Sequence, residues 1–139
     1  GFRYHMSNIN AAIGLAQLKK FKRLAAQRQK LAKLYDQLFS KNRQLKIFAR
    51  DYNAIVPFMY IIRVSAKKRD DLIVYLAQNG IHAGLRYYPC HLQQFFGHDG
   101  RRLPITEQLA REMVSIPLFP GLTERQVYFI VSKIQEFLL

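Results

Sequence analysis

The chain has 139 residues, half of them hydrophobic, and a formal net charge of +13. That length suits one domain with its own core. No apolar run reaches the ~18–20 residues of a membrane-spanning helix and no signal-peptide pattern opens the chain, so a cytoplasmic protein with no membrane partner is expected. The single cysteine, Cys90, excludes an internal disulfide framework and a multi-cysteine metal site.

Residues 7 to about 39 are predicted to form one long helix, with Ser7 as N-cap and only Gly14 as an interruption. Its first half, Ile9 to Leu18, is small or apolar all round and needs partners on more than one side. Its second half carries an apolar stripe of Phe21, Leu24, Leu31, Leu34, Tyr35 and Leu38 among lysines and arginines. At ~1.5 Å per residue such a helix is about 50 Å long. A compact domain of this size has a radius of gyration of only ~14 Å, so part of the helix is expected to project.

A short strand is expected at Leu45–Phe48, and a longer one at Val56–Ser65, which is rich in strand-forming residues. Arg69–Gln78 is predicted helical, opened by Asp70 and Asp71 at its positive end and closed by Asn79-Gly80. Ile81–Tyr87 reads as the next strand, followed by an irregular segment with a helical turn at Leu92–Phe96. Pro104–Met113 is predicted helical, with Leu109 and Met113 inward, and Ser115–Leu118 as a short strand. Thr123 caps the last helix, Gln126 completes its capping box, and the inner stripe is Val127, Ile130, Val131, Ile134, Phe137 and Leu138. The order implies an α/β fold of the α+β two-layer sandwich type, with a small sheet of about three strands covered by helices.

The charge is uneven. Residues 1–50 hold twelve Lys/Arg and one acid, Asp36, so +11 of the +13 lies there. Such a segment is either a solvated helix face or a surface for a polyanion. Aromatics are not interleaved with the basic residues as stacking platforms, which disfavours nucleic acid. The seven glycines form no phosphate loop. The four histidines (His5, His82, His91, His98) have no metal-site spacing, so no metal is expected. Cys90 and His91 are adjacent and point apart in extended backbone, so no catalytic pair is expected there. Tyr87, Tyr88 and His91, in a proline-containing loop after a strand, are candidate functional residues by position, with aromatic packing as the alternative reading.

The motifs are more specific than these single residues. Gly1 to Leu18, reading GFRYHMSNINAAIGLAQL, resembles the start of the small domain of the DegT/StrS-type sugar aminotransferases. Gly80-Ile81 followed by Tyr88-Pro89-Cys90-His91-Leu92-Gln93 resembles a second stretch of that family. Leu103-Pro104 with Glu107, then Ser115-Ile116-Pro117-Leu118 and Pro120-Gly121-Leu122-Thr123, resembles its ending. The likeness covers essentially the whole chain, with the motifs in the family's order.

The resemblance implies that residues 1–139 are the C-terminal small domain of a two-domain, fold-type-I enzyme acting as a cytoplasmic homodimer. Such an enzyme moves an amino group, usually from glutamate, onto a keto-sugar carried on a nucleotide. Its pyridoxal phosphate forms a Schiff base with a lysine of a large domain upstream of this segment. This chain has no counterpart of that lysine, so it contributes no catalytic residue and is not expected to transaminate alone. The resemblance places Arg3 where the family has an asparagine that reaches the cofactor phosphate, a role an arginine can fill. It places His5 where an arginine helps hold substrate, and Tyr88 and His91 on the loop facing the sugar nucleotide. The alternative is a stand-alone domain binding nucleic acid or another polyanion through its basic helix, with an affinity that falls steeply as salt rises.

Overall fold

A computed structural model describes residues 4–96 and 100–139. Helix α1 spans Asn8–Phe39 and starts where expected, the Ser7 hydroxyl accepting the Asn10 N–H at 3.2 Å. Strands β1 (Lys46–Ile47) and β2 (Tyr60–Arg63) are followed by helix α2 (Ala66–Gln78). Two short 3-10 turns, Cys90–Leu92 and Gln94–Phe96, precede helix α3 (Pro104–Glu112), strand β3 (Met113–Ile116) and helix α4 (Glu124–Leu138). The three strands form an antiparallel sheet in the order β1-β2-β3. Four helices and this small sheet make the α/β sandwich that the hydrophobic pattern implies.

The sheet's buried face is set by period-2 alternation. Tyr60 lies opposite Ile116 and Ile62 opposite Val114, and all four are buried. They join one core with Leu31, Ala32, Tyr35 and Phe39 of α1, Leu72 and Leu76 of α2, and the inner stripe of α4. The α4 stripe follows the expected residues, with Phe137 half-buried, and Thr123 and Gln126 form the capping box. Helix α1 departs from expectation at Phe21, while the expected Leu31 and Tyr35 are buried and Leu34 and Leu38 pack half-buried against the core. Phe21 is exposed, and the buried line is Ala25, Leu31, Ala32, Tyr35 and Phe39. Arg28 shares this face because its guanidinium reaches two backbone carbonyls, Phe58 and Leu118, each at 3.0 Å.

Other expected elements are shorter or displaced. The Val56–Ser65 strand contracts to Tyr60–Arg63, the length its partners β1 and β3 can pair. Helix α2 begins at Ala66, so Asp70 and Asp71 stand beyond its first turn and do not open it. In α3 the fully buried residue is Ala110, with Leu109 half-buried, and β3 starts at Met113 directly after the helix.

The Ile81–Tyr87 strand does not form. Gly80, at φ +72°, and Ile81 close α2 by donating to Ala77 and Leu76, which drops Ile81 into the core. Only Gly84 then pairs with β3, exchanging hydrogen bonds of 3.1 and 2.8 Å with Ser115. The next hydrogen-bonded rungs would be His82 with Pro117 and Arg86 with Met113. Pro117 has no N–H, and the Met113 N–H already caps α3 on Leu109. The chain is therefore free to leave the sheet as a loop.

The helix layer and the sheet meet at Asp36. One of its carboxylate oxygens accepts the Tyr60 hydroxyl at 2.6 Å and the Arg50 guanidinium at 3.3 Å. The other accepts the Tyr52 hydroxyl at 2.5 Å. Arg50 also donates to the Phe48 and Ile61 carbonyls and lies over the Tyr60 ring, 4.3 Å from its centre. Burial and the Asp36 carboxylate push both tyrosine hydroxyls well above their ordinary pKa, so they act only as neutral donors. Asp36→Ala strands three donors at once and should cost about 2–4 kcal/mol in urea unfolding. Lys30→Ala, which removes an exposed pair with Glu124, should leave the urea midpoint almost unchanged. Equal effects of the two substitutions would contradict the role given to Asp36.

Candidate functional site

The loop that leaves the sheet at Gly84 forms one wall of a hollow of about 410 Å³. Its other walls come from the exit of β3 at Ser115 to Leu118 and from Phe58 and Met59. Arg86 and Tyr87 reach its rim, the guanidinium 6.0 Å from the centre of the Tyr87 ring. A space of this size, with polar groups (His82, Arg86, Ser115) among its lining, is of the order that small-molecule sites occupy.

Tyr88 follows on the same loop and is about half exposed. The loop is held from within, the Gln93 side-chain amide donating to the Tyr88 carbonyl at 3.2 Å and the 3-10 turns closing on Pro89 and Cys90. His91 is placed differently from Tyr88. Its side chain is only 14% exposed, and its Nε2 meets Glu107 Oε1 at 3.3 Å. The same Glu107 oxygen accepts the Leu103 N–H at 2.9 Å, closing the start of α3, and Arg102 lies 4.0 Å from the other oxygen. These contacts, the Leu103 N–H first and His91 next, hold the Glu107 carboxyl below the usual carboxylate range. Arg63 does the same for Glu112, with bonds of 3.1 and 2.6 Å.

The structure thus unites His91 with Glu107, a residue that carried no assigned role in the sequence. The available signal was its position in the first turn of a proline-started helix, where a carboxylate is favoured. His5 is exposed and precedes α1, while Arg3 lies outside the described residues. From Ala12 to Arg23 every residue of α1 is exposed, including Ile13, Leu15, Leu18 and Phe21 at 52–69%. With ~1.5 Å per residue, α1 extends about 25 Å before its first buried residue, Ala25.

The described residues do not fit pyridoxal phosphate as an anchor. No lysine lines the hollow. A Schiff-base lysine needs its ammonium destabilised. Lys30 and Lys133 are instead stabilised as cations by hydrogen bonds to Glu124 and Glu136. Among the described residues, no group of three or more His, Cys, Asp or Glu is placed to hold a metal, and no helix is long and apolar enough to cross a membrane.

The model of the DegT/DnrJ/EryC1/StrS aminotransferase family matches residues 1–135. The chain belongs to that family. GDP-perosamine synthase of Escherichia coli O157:H7 is 30% identical over 137 residues, which cover 99% of this chain and 38% of that protein. The aminotransferase TlmJ of Streptoalloteichus hindustanus superposes with a TM-score of 0.88 at 27% identity, over 99% of this chain and 38% of that one. NtdA of Bacillus subtilis, solved with bound cofactor PMP, reaches 0.90 over 99% of this chain and 34% of that one. At 22% identity that likeness is one of fold. The chain therefore spans a little over a third of the length of the aminotransferases it matches.

The two depressed carboxyls give a test of the site's electrostatics. Each favours the deprotonated folded state, so its stabilisation is complete above the ordinary glutamate pKa of ~4.3 and is lost as pH falls through the lowered value. Thermal midpoints measured from about pH 6 down to pH 3 should fall steeply. Glu112→Gln should flatten that fall, and an unchanged slope would remove the Arg63–Glu112 pair from the account.

Proposed function

We propose that this chain is the C-terminal small domain of a pyridoxal-phosphate-dependent aminotransferase that moves an amino group from glutamate onto a nucleotide-linked keto-sugar. The observation that carries the proposal is the match of almost the whole chain to the aminotransferase family model and to 38% of a GDP-perosamine synthase, in a structure whose helix α1 projects half its length. An apolar surface of that extent on a soluble protein marks an interface. In the complete protein it lies against the large domain and the partner subunit of a cytoplasmic homodimer.

The division of labour follows from the chemistry. Pyridoxal phosphate, when bound by the large domain, supplies the electron sink for amino transfer. This chain's residues do the holding. Arg3 offers a fixed cation to the cofactor phosphate, and His5 a donor to a substrate anion. Tyr88 presents an exposed ring and hydroxyl on the loop beside the hollow, suited to the sugar-nucleotide side of the site. His91 shares that loop, and with its Nε2 on Glu107 it serves the substrate side by holding the loop.

The test is made on the natural gene product that contains this segment. It should carry a bound cofactor with the visible absorbance of a Schiff base and should transfer nitrogen from glutamate to a nucleotide-linked keto-sugar. Arg3→Ala should weaken cofactor retention, and Tyr88→Ala should raise KM for the sugar nucleotide about tenfold, worth ~1.4 kcal/mol. A product with no cofactor and no transfer to any such sugar would overturn the proposal.

A further inference from the structure

Resting on the reading just given, we infer that Glu107 is a positioning residue for the sugar-nucleotide site and acts through His91. Among the described residues, the loop from Arg86 to Phe96 is joined to the sheet only by the Gly84–Ser115 bridge just before it. Beyond that bridge its wall of the hollow has no ladder to fix it, because Pro117 and Met113 offer no further N–H. A wall that shapes a site needs some other restraint.

Glu107 supplies it. A single carboxylate oxygen takes the Leu103 N–H at 2.9 Å and meets His91 Nε2 at 3.3 Å. Both side chains are largely covered, at 14% and 15% exposure. The first contact fixes the carboxylate to the start of α3, a nine-residue helix that runs directly into β3. The second fixes the loop to that carboxylate. The loop is thereby registered against β3, the opposite wall of the hollow, although the two share only one bridge. His91 spends its Nε2 on Glu107, so its effect on substrate passes through the placement of Tyr87 at the rim and Tyr88 beyond it. The pair sets the width of the hollow and touches no reacting atom. Relaxing a support of this kind loosens binding of the group that the wall contacts and leaves chemistry at the cofactor unchanged.

The experiment uses the complete natural enzyme with its cofactor. Glu107→Ala should raise KM for the nucleotide sugar about tenfold while kcat, KM for glutamate and cofactor absorbance stay within about twofold. Glu107→Gln keeps the accepting oxygen and should restore KM to within about twofold of the wild type. His91→Ala should reproduce the KM change, and the double variant should be no worse than either single one, because both remove the same contact. His91→Ala leaves the Leu103 cap in place, so it reports on the loop even where Glu107→Ala fails to fold. An enzyme that transfers amino groups normally with an unchanged KM in His91→Ala, or whose two substitutions multiply in the double variant, would overturn this inference alone. A wild-type product that transfers nothing to nucleotide sugars would overturn the functional reading beneath it.

Discussion

Asp36 is the point at which the helix layer and the sheet become one body. It is the sole acid among the first 50 residues, yet it binds two tyrosine hydroxyls and an arginine, Arg50 and Tyr52 from the β1–β2 connection and Tyr60 from β2 itself. Around it stack Tyr35, Phe39 and Tyr60, with Tyr35 and Tyr60 ring centres 4.7 Å apart. Tyr35 also ties α1 to the exit of β3 through the Pro117 carbonyl. An apolar residue at position 36 would leave the Arg50 charge half-buried without a counter-ion, a large penalty at low local dielectric. The position of the sheet under α1 depends on that carboxylate, and the hollow at the end of β3 depends on the sheet.

Helices and their caps are legible in the sequence because their signals are local. Ser7, Thr123 with Gln126, and Asn79-Gly80 each place a helix end through contacts within four residues. Strands are less legible because their extent is set by partners. Ile81–Tyr87 has strand-forming residues, but Pro117 and the helix-capping Met113 deny it a ladder. Phe21 lies one helical turn before Ala25 on the stripe that meets the core, and is exposed because that stretch of α1 projects beyond the fold. Of the candidate site, the loop of Tyr88 and His91 could be found from its motif and its proline. The partnership of His91 with Glu107 joins residues sixteen apart and appears only once the fold is built.

The basic charge of the first 50 residues also acquires a structural meaning. Arg28 holds two carbonyls, Lys30 pairs with Glu124, Lys33 lies 5.7 Å from the centre of the Tyr52 ring, and Arg50 serves Asp36. Much of the charge on the second half of α1 is spent inside the chain. The first half of α1 is another matter. It is apolar, long and uncovered, and it follows the segment that holds Arg3 and His5. A helix that projects about 25 Å, with its apolar half outermost, is explained most simply by a larger protein around it.

The central claim is that this segment works as part of a larger aminotransferase. An antibody raised against these 139 residues, applied to an extract of the cells that make the protein, tests it directly through the intact mass of what it captures. The account expects a polypeptide more than twice the 16.3 kDa of this chain, in line with the 38% of its relatives that the chain covers. A natural product of 16.3 kDa would contradict it, because the apolar half of α1 would then have no large domain to cover it.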